Sequence, residues 1–171
     1  MEEMITDYIT GQMIPNVGAE VNRQAVERFL VEEKGFKKQD IQVGVPIQMQ
    51  IRDQTYRSSV DLVITLDGRK LMVIKCAPGS LGSREREITA AARLLDENPI
   101  PLALVSDGKS AILLNTANGQ KVGEGLAAVP SRRELLNKFK EVTLEPIKGE
   151  RREREKLIFR SYDSMTVNVI R

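Results

Sequence analysis

The stretch Ser58–Pro78, SSVDLVITLDGRKLMVIKCAP, constrains the fold more than any other part of the chain. Two apolar runs are joined by Asp67-Gly68, a dipeptide suited to a tight hairpin because both positions tolerate positive φ. In the first run Leu62, Ile64 and Leu66 share one face, and Asp61, Val63 and Thr65 share the other. Both faces are largely apolar, so the spacing predicts a strand covered on both sides. Two ionisable residues break the pattern. Asp61 opens the first strand, and Lys75 stands among Val73, Ile74, Cys76 and Ala77 near the end of the second. An unpaired carboxylate in such a place is costly, so Asp61 either serves a site or is partnered by Arg57 or Lys75. Lys75 in turn either works in a site or forms an ion pair with Asp61.

Around this hairpin the chain alternates helix and strand signals. Ala19 to Lys34 has helical spacing, with Val21, Ala25, Phe29 and Leu30 on one stripe, Glu20, Arg23, Gln24 and Glu27 elsewhere, and Gly35 as the stop. Ile41 to Ile51 alternates as a strand that Pro46 interrupts or confines to an edge, and the polar RDQTYRS reads as a loop. After Pro78-Gly79, Ser83 is placed to cap an Ala-rich helix running to about Asp96, with Ile88, Ala92 and Leu95 buried and Glu85 and Glu87 in its first turn. Ile100 to Val105 and Ser110 to Asn115 read as strands joined at Asp107-Gly108, with a further turn at Asn118-Gly119. Pro130 and Ser131 open a helical region holding Leu135, Leu136 and Phe139. A charged helix, ERREREKLIFRSYDSM, follows Gly149, and the closing TVNVIR reads as a short strand. The order implies an α/β protein, a central mixed β-sheet flanked by helices. It divides into an irregular arm over 1–18, a core over 19–129 and a helical extension over 130–171.

Composition removes several chemistries. The 171 residues contain no His and a single Cys, which excludes histidine triads, most catalytic zinc sites and an internal disulfide framework. Any reaction must use carboxylates, lysines or a hard cation held by oxygen. Lys and Arg outnumber Asp and Glu by 26 to 24, too narrow a margin to argue for a polyanionic partner. The run Arg151–Lys156 interleaves glutamates and reads as a solvated helix face. With no Trp and only three Tyr, a dedicated single-strand binder is disfavoured. Gly79–Ser83 precedes a helix but lacks the P-loop pattern. No apolar run is long enough to cross a bilayer, and the N-terminus lacks signal-peptide features, so a cytoplasmic protein is expected.

Several stretches together resemble a known family. ITGQMIP (Ile9 to Pro15), EVNRQAVERFLVEEKGF (Glu20 to Phe36), SSVDLVI, VIKCAPG and LVSDGKSAILLNT (Leu104 to Thr116) are similar to the N-terminal domain of type I restriction enzyme R subunits, in its small stand-alone form. That family lies in the PD-(D/E)xK nuclease superfamily. The resemblance covers about the first two thirds of the chain. It implies a restriction-endonuclease-like fold and a Mg²⁺-dependent site that hydrolyses DNA phosphodiesters, with Glu20 facing the metal and Asp61 as a ligand. The family's next strand reads I-E-x-K-A-P, whereas this chain has Ile74-Lys75-Cys76-Ala77-Pro78. Anchored at both Ile74 and Pro78, the strand is one residue short; anchored at Ile74 alone, Lys75 takes the acid's place and Ala77 the lysine's. Lysine there removes a metal ligand and adds repulsion. The missing acid would come from Glu85 or Glu87 on the following helix; without it, the chain is an inactive relative that binds nucleic acid or a protein partner. The sequence does not fix an oligomeric state.

Overall fold

A computed structural model of the chain describes residues 2–79 and 81–170, the side chains of 165–170 excepted. Twelve regular elements are present among the described residues: β1 (Met4–Thr6), β2 (Met13–Pro15), α1 (Glu20–Glu32), β3 (Ile41–Ile51), β4 (Gln54–Leu66), β5 (Arg69–Cys76), α2 (Glu85–Leu94), β6 (Leu102–Ser106), β7 (Ala111–Asn115), β8 (Lys121–Glu124), α3 (Arg132–Phe139) and α4 (Gly149–Ile170). β3 to β8 form one six-stranded sheet in sequence order. Among the described residues only the β5–β6 pair is parallel, because α2 crosses over between those strands. The result is the mixed α/β architecture of a restriction-endonuclease-like fold.

The sheet is covered on both faces, as the two-sided apolar pattern of the central hairpin requires. One face packs Leu62, Ile64, Met72, Ile74 and Leu104 against Val26, Phe29 and Leu30 of α1 and Leu135 of α3. The other packs Val63, Val73, Ala103 and Val105 against α2 and against Phe159 of α4. Ala90, Ala91 and Ala92 are fully buried, so their small side chains bring α2 close to the strands. The hairpin turn is as expected, with Asp67 at φ 51 and Gly68 at φ 77.

β3 is an edge strand, the position that Pro46 requires. The segment expected as a loop after it is strand instead. Only Arg52 and Asp53 turn the chain, and Gln54 already begins β4. Residues 54–58 look like a loop because all but Tyr56 are polar and none is fully buried, so apolar alternation is absent from this strand although its partner residues Met49 and Ile51 are buried. The N-terminal arm is likewise not irregular: β1 and β2 pair antiparallel, Ile5 opposite Ile14. A short β8, not among the expected strands, extends the sheet beyond β7. Ser83 does not cap α2, whose N-cap position is Arg84. Ser131 does cap α3, in a reciprocal box with Glu134. TVNVIR is not a strand: α4 continues through Ile170, and Arg171 lies outside the described residues. Adding residues to an existing helix is cheaper than nucleating a new element.

α1 is held in place by the β6–β7 turn. Gly108 has φ +91, and a Cβ there would stand 2.5 Å from that of Ala25. Only glycine allows this approach, which fixes the helix that carries Glu20. No helix among the described residues is long and apolar enough to cross a membrane.

Candidate functional site

The β4–β5 register pairs Leu62 with Ile74, which brings Asp61 and Lys75 side by side at the next position. Asp61 Oδ2 accepts a hydrogen bond from the Cys76 amide at 2.8 Å, so the carboxylate continues the ladder where the β4 backbone leaves it. Lys75 Nζ stands 4.0 Å from Asp61 Oδ2 and 3.5 Å from Glu87 Oε2. Arg57 is occupied elsewhere, donating to Gln48. Asp61, Lys75 and Glu20 line one open cleft of about 370 Å³, with Val17–Ala19, Cys76–Pro78 and Arg84.

Of the two helix acids, Glu87 enters the group and Glu85 does not. Glu87 lies on the sheet-facing arc of α2 beside Ile88 and Ala91, and its side chain is 3% exposed. Glu85, two residues earlier and so about 200° around the helix, lines a separate groove with Arg86, Arg93 and Glu155. Glu87, rather than the acid nearer the helix start, stands beside Lys75, and its helical spacing with Ile88 and Ala91 is the signal that separates the two.

Burial works to discharge the Lys75 ammonium, but the charges of Asp61 and Glu87 outweigh it and hold its pKa above the usual lysine value. Burial also raises the Glu87 carboxyl, against the opposing pull of Lys75 and Arg84. Behind the pair, Asp163 and Phe159 of α4 close the space around Ser59, Lys75 and Glu87. Asp163 accepts a hydrogen bond from the Tyr56 hydroxyl. The sequence reading missed this contribution, though Glu155, Phe159 and Asp163 recur at helical i, i+4, i+8 spacing. The expected solvated face of 151–156 is likewise incomplete, since Glu155 is buried on Arg93 at 2.7 Å. Cys76 is buried, and that burial pushes its thiol well up, as for a core side chain rather than a redox centre.

Glu20 reaches the cleft from α1, where its Oε2 accepts from Arg23 Nε at 3.0 Å. Arg23 is the hub of a second cluster. Its Nη1 donates at 2.8 Å to Asp7 of the β1–β2 loop and at 2.8 Å to Glu27. The Ile9 amide donates to both carboxylates. Burial, then the adjacent Asp7 carboxyl, pushes Glu27 up to about 8, whereas hydrogen bonds from Glu27 and Arg23 outweigh burial and hold Asp7 below its usual value. Glu27 therefore takes up a proton more readily than Asp7. A carboxyl whose pKa rises from 4.5 to about 8 on folding stabilises the fold fully below pH 4.5, and that contribution is lost as pH rises to about 8. Glu27→Gln should flatten the resulting fall in melting temperature across this window. An unchanged slope in the variant would place the titration elsewhere.

A model of the family described as type I restriction enzyme R protein N terminus matches residues 18–130. The chain belongs to this family. Comparison with curated proteins and with solved structures found no match. The matched span of the R-protein N-terminal family holds Glu20, Asp61, Lys75, Glu85 and Glu87, while Asp7, Phe159 and Asp163 lie outside it.

The divalent ion implied by the resemblance does not fit these residues as they stand. Magnesium requires oxygen ligands in near-octahedral geometry, whereas the Lys75 nitrogen occupies the space between Asp61 and Glu87. Among the described residues no group of three or more acids or thiols is placed to hold a metal ion. Glu20, the third expected participant, is engaged by Arg23.

Proposed function

We propose that this chain is a DNA-binding module of the R-protein N-terminal family that does not hydrolyse its ligand. The observation that carries it is the Lys75 ammonium lying between Asp61 and Glu87, where a metal-dependent site needs a divalent ion. Phosphodiester hydrolysis in such sites relies on the metal to generate the nucleophile and to stabilise charge on the leaving oxygen. A lysine in that position supplies a single positive charge and no bound water of lowered pKa. The restriction-enzyme family supports duplex DNA as the ligand, and the open cleft beside Asp61, with Lys75 and Arg84 in its wall, supports its location. The module is proposed to act in the cytoplasm.

The test combines fluorescence anisotropy on a labelled duplex with a plasmid-cleavage assay in Mg²⁺ and Mn²⁺. The expected result is duplex binding that persists in chelator and weakens with salt, with no cleavage in either metal. Metal-dependent cleavage abolished by Asp61→Ala would establish the Mg²⁺-dependent nuclease instead. An absence of duplex binding would direct the search to a protein partner.

A further inference from the structure

We infer that the Lys75 ammonium is the resident cation of this site, standing in for a metal ion, and that removing it uncovers a divalent-cation site on Asp61 and Glu87. This deepens the proposed function and rests on its metal-free acid site. Two separate observations support it.

The first is position. Asp61 on β4 and Glu87 on α2 approach Lys75 from different elements, with oxygens 4.0 and 3.5 Å from its nitrogen. Charge would balance equally well with a small cation at that point, and hard divalent ions take carboxylate oxygens. The second is the state of Glu87. Although buried, neither of its carboxylate oxygens has a hydrogen-bond partner among the described residues. The Lys75 ammonium, 3.5 Å from Oε2, is the cation it faces, at the outer limit of hydrogen-bonding range. Buried carboxylates are normally hydrogen-bonded, so this one is left open toward a cation. A pocket of about 10 Å³ adjoins it, room for about one water, lined further by Ser59 and Asp163. Truncating Lys75 would add the volume of its stem and ammonium to this space.

The experiment uses the full chain and Mn²⁺ as the probe, comparing wild type, Lys75→Ala and Lys75→Ala/Glu87→Gln by thermal unfolding and calorimetric titration. Wild type should show no Mn²⁺ response. Lys75→Ala should melt below wild type in chelator and rise by about 5 °C or more at saturating Mn²⁺. The double variant should lose that rise. If Lys75→Ala does not fold in chelator, Lys75→Met keeps most of the stem's volume and serves in the same comparison, alone and with Glu87→Gln. The inference is overturned if wild type binds Mn²⁺ and an added Asp61→Ala variant does not, or if the single and double Lys75 variants respond alike. A chain that binds duplex without cutting it, but whose Lys75 variants ignore Mn²⁺, would keep the proposed function and lose this inference.

Discussion

Arg23→Ala is expected to lower the unfolding free energy by about 3–5 kcal/mol, the cost of breaking a buried charge network by removing one partner. Asp7 and Glu27 are both buried, and Arg23 is their cationic partner. Without the guanidinium, Asp7 must either stay charged and desolvated or take up a proton, and each choice penalises the folded state. The loss should be structural as well as energetic. The β1–β2 hairpin is docked on α1 through Asp7, through the Tyr8 amide on Gln24 and through the Tyr8 ring beneath Arg28, with Lys38 from the turn before β3 over the same ring. Residues 4–15 should therefore lose amide protection first. Arg23→Lys should recover only part of the loss, because an ammonium cannot reproduce the fork that serves Asp7, Glu20 and Glu27 together. Denaturant unfolding with hydrogen exchange measures both effects. A shift below about 1 kcal/mol would mean that the cluster behaves like an exposed ion pair.

This cluster also marks where sequence reading stopped. Helical spacing placed Arg23 and Glu27 away from the apolar stripe and put Val21 on it. In the fold Val21 is 62% exposed, while Arg23, Val26 and Glu27 are buried. The hairpin at residues 4–15 covers a polar flank of α1, and periodicity within one helix carries no information about a distant segment that will cover it. The central hairpin was legible because its determinants are local: alternation on both faces and the Asp67-Gly68 turn. The proximity of Asp61 and Lys75 follows from that pairing alone. Glu87 was within reach of the same logic, since its buried neighbours Ile88 and Ala91 recur at helical spacing. Asp163 needed the packing of α4 on α2, which depends on contacts far apart in sequence.

The position of α4 leads to the second large effect. Phe159→Ala should cost about 3–5 kcal/mol, the range for deleting a buried aromatic side chain. Phe159 is 2% exposed and belongs to the core layer formed by Val63, Val73, Ile88 and Ala91, although it lies outside the family-matched span. Its ring meets Tyr56 edge-on, 6.3 Å between centroids at 74°, a favourable arrangement for two aromatic rings. If residues 130–171 were a separable extension, the variant would unravel α4 and leave the sheet's unfolding midpoint unchanged. We expect instead a single cooperative transition displaced as a whole, followed by circular dichroism at a helix wavelength and by Tyr fluorescence. Two resolved transitions would refute this. The same substitution would open the back of the acid–lysine pair, because Phe159 lines the pocket beside Lys75 and Glu87. Water admitted there would supply the hydrogen bonds that Glu87 lacks and relieve its desolvation. The helix that completes the core thus also shields the Glu87 carboxyl from bulk solvent, tying the charge state of the site to a segment beyond the matched family domain.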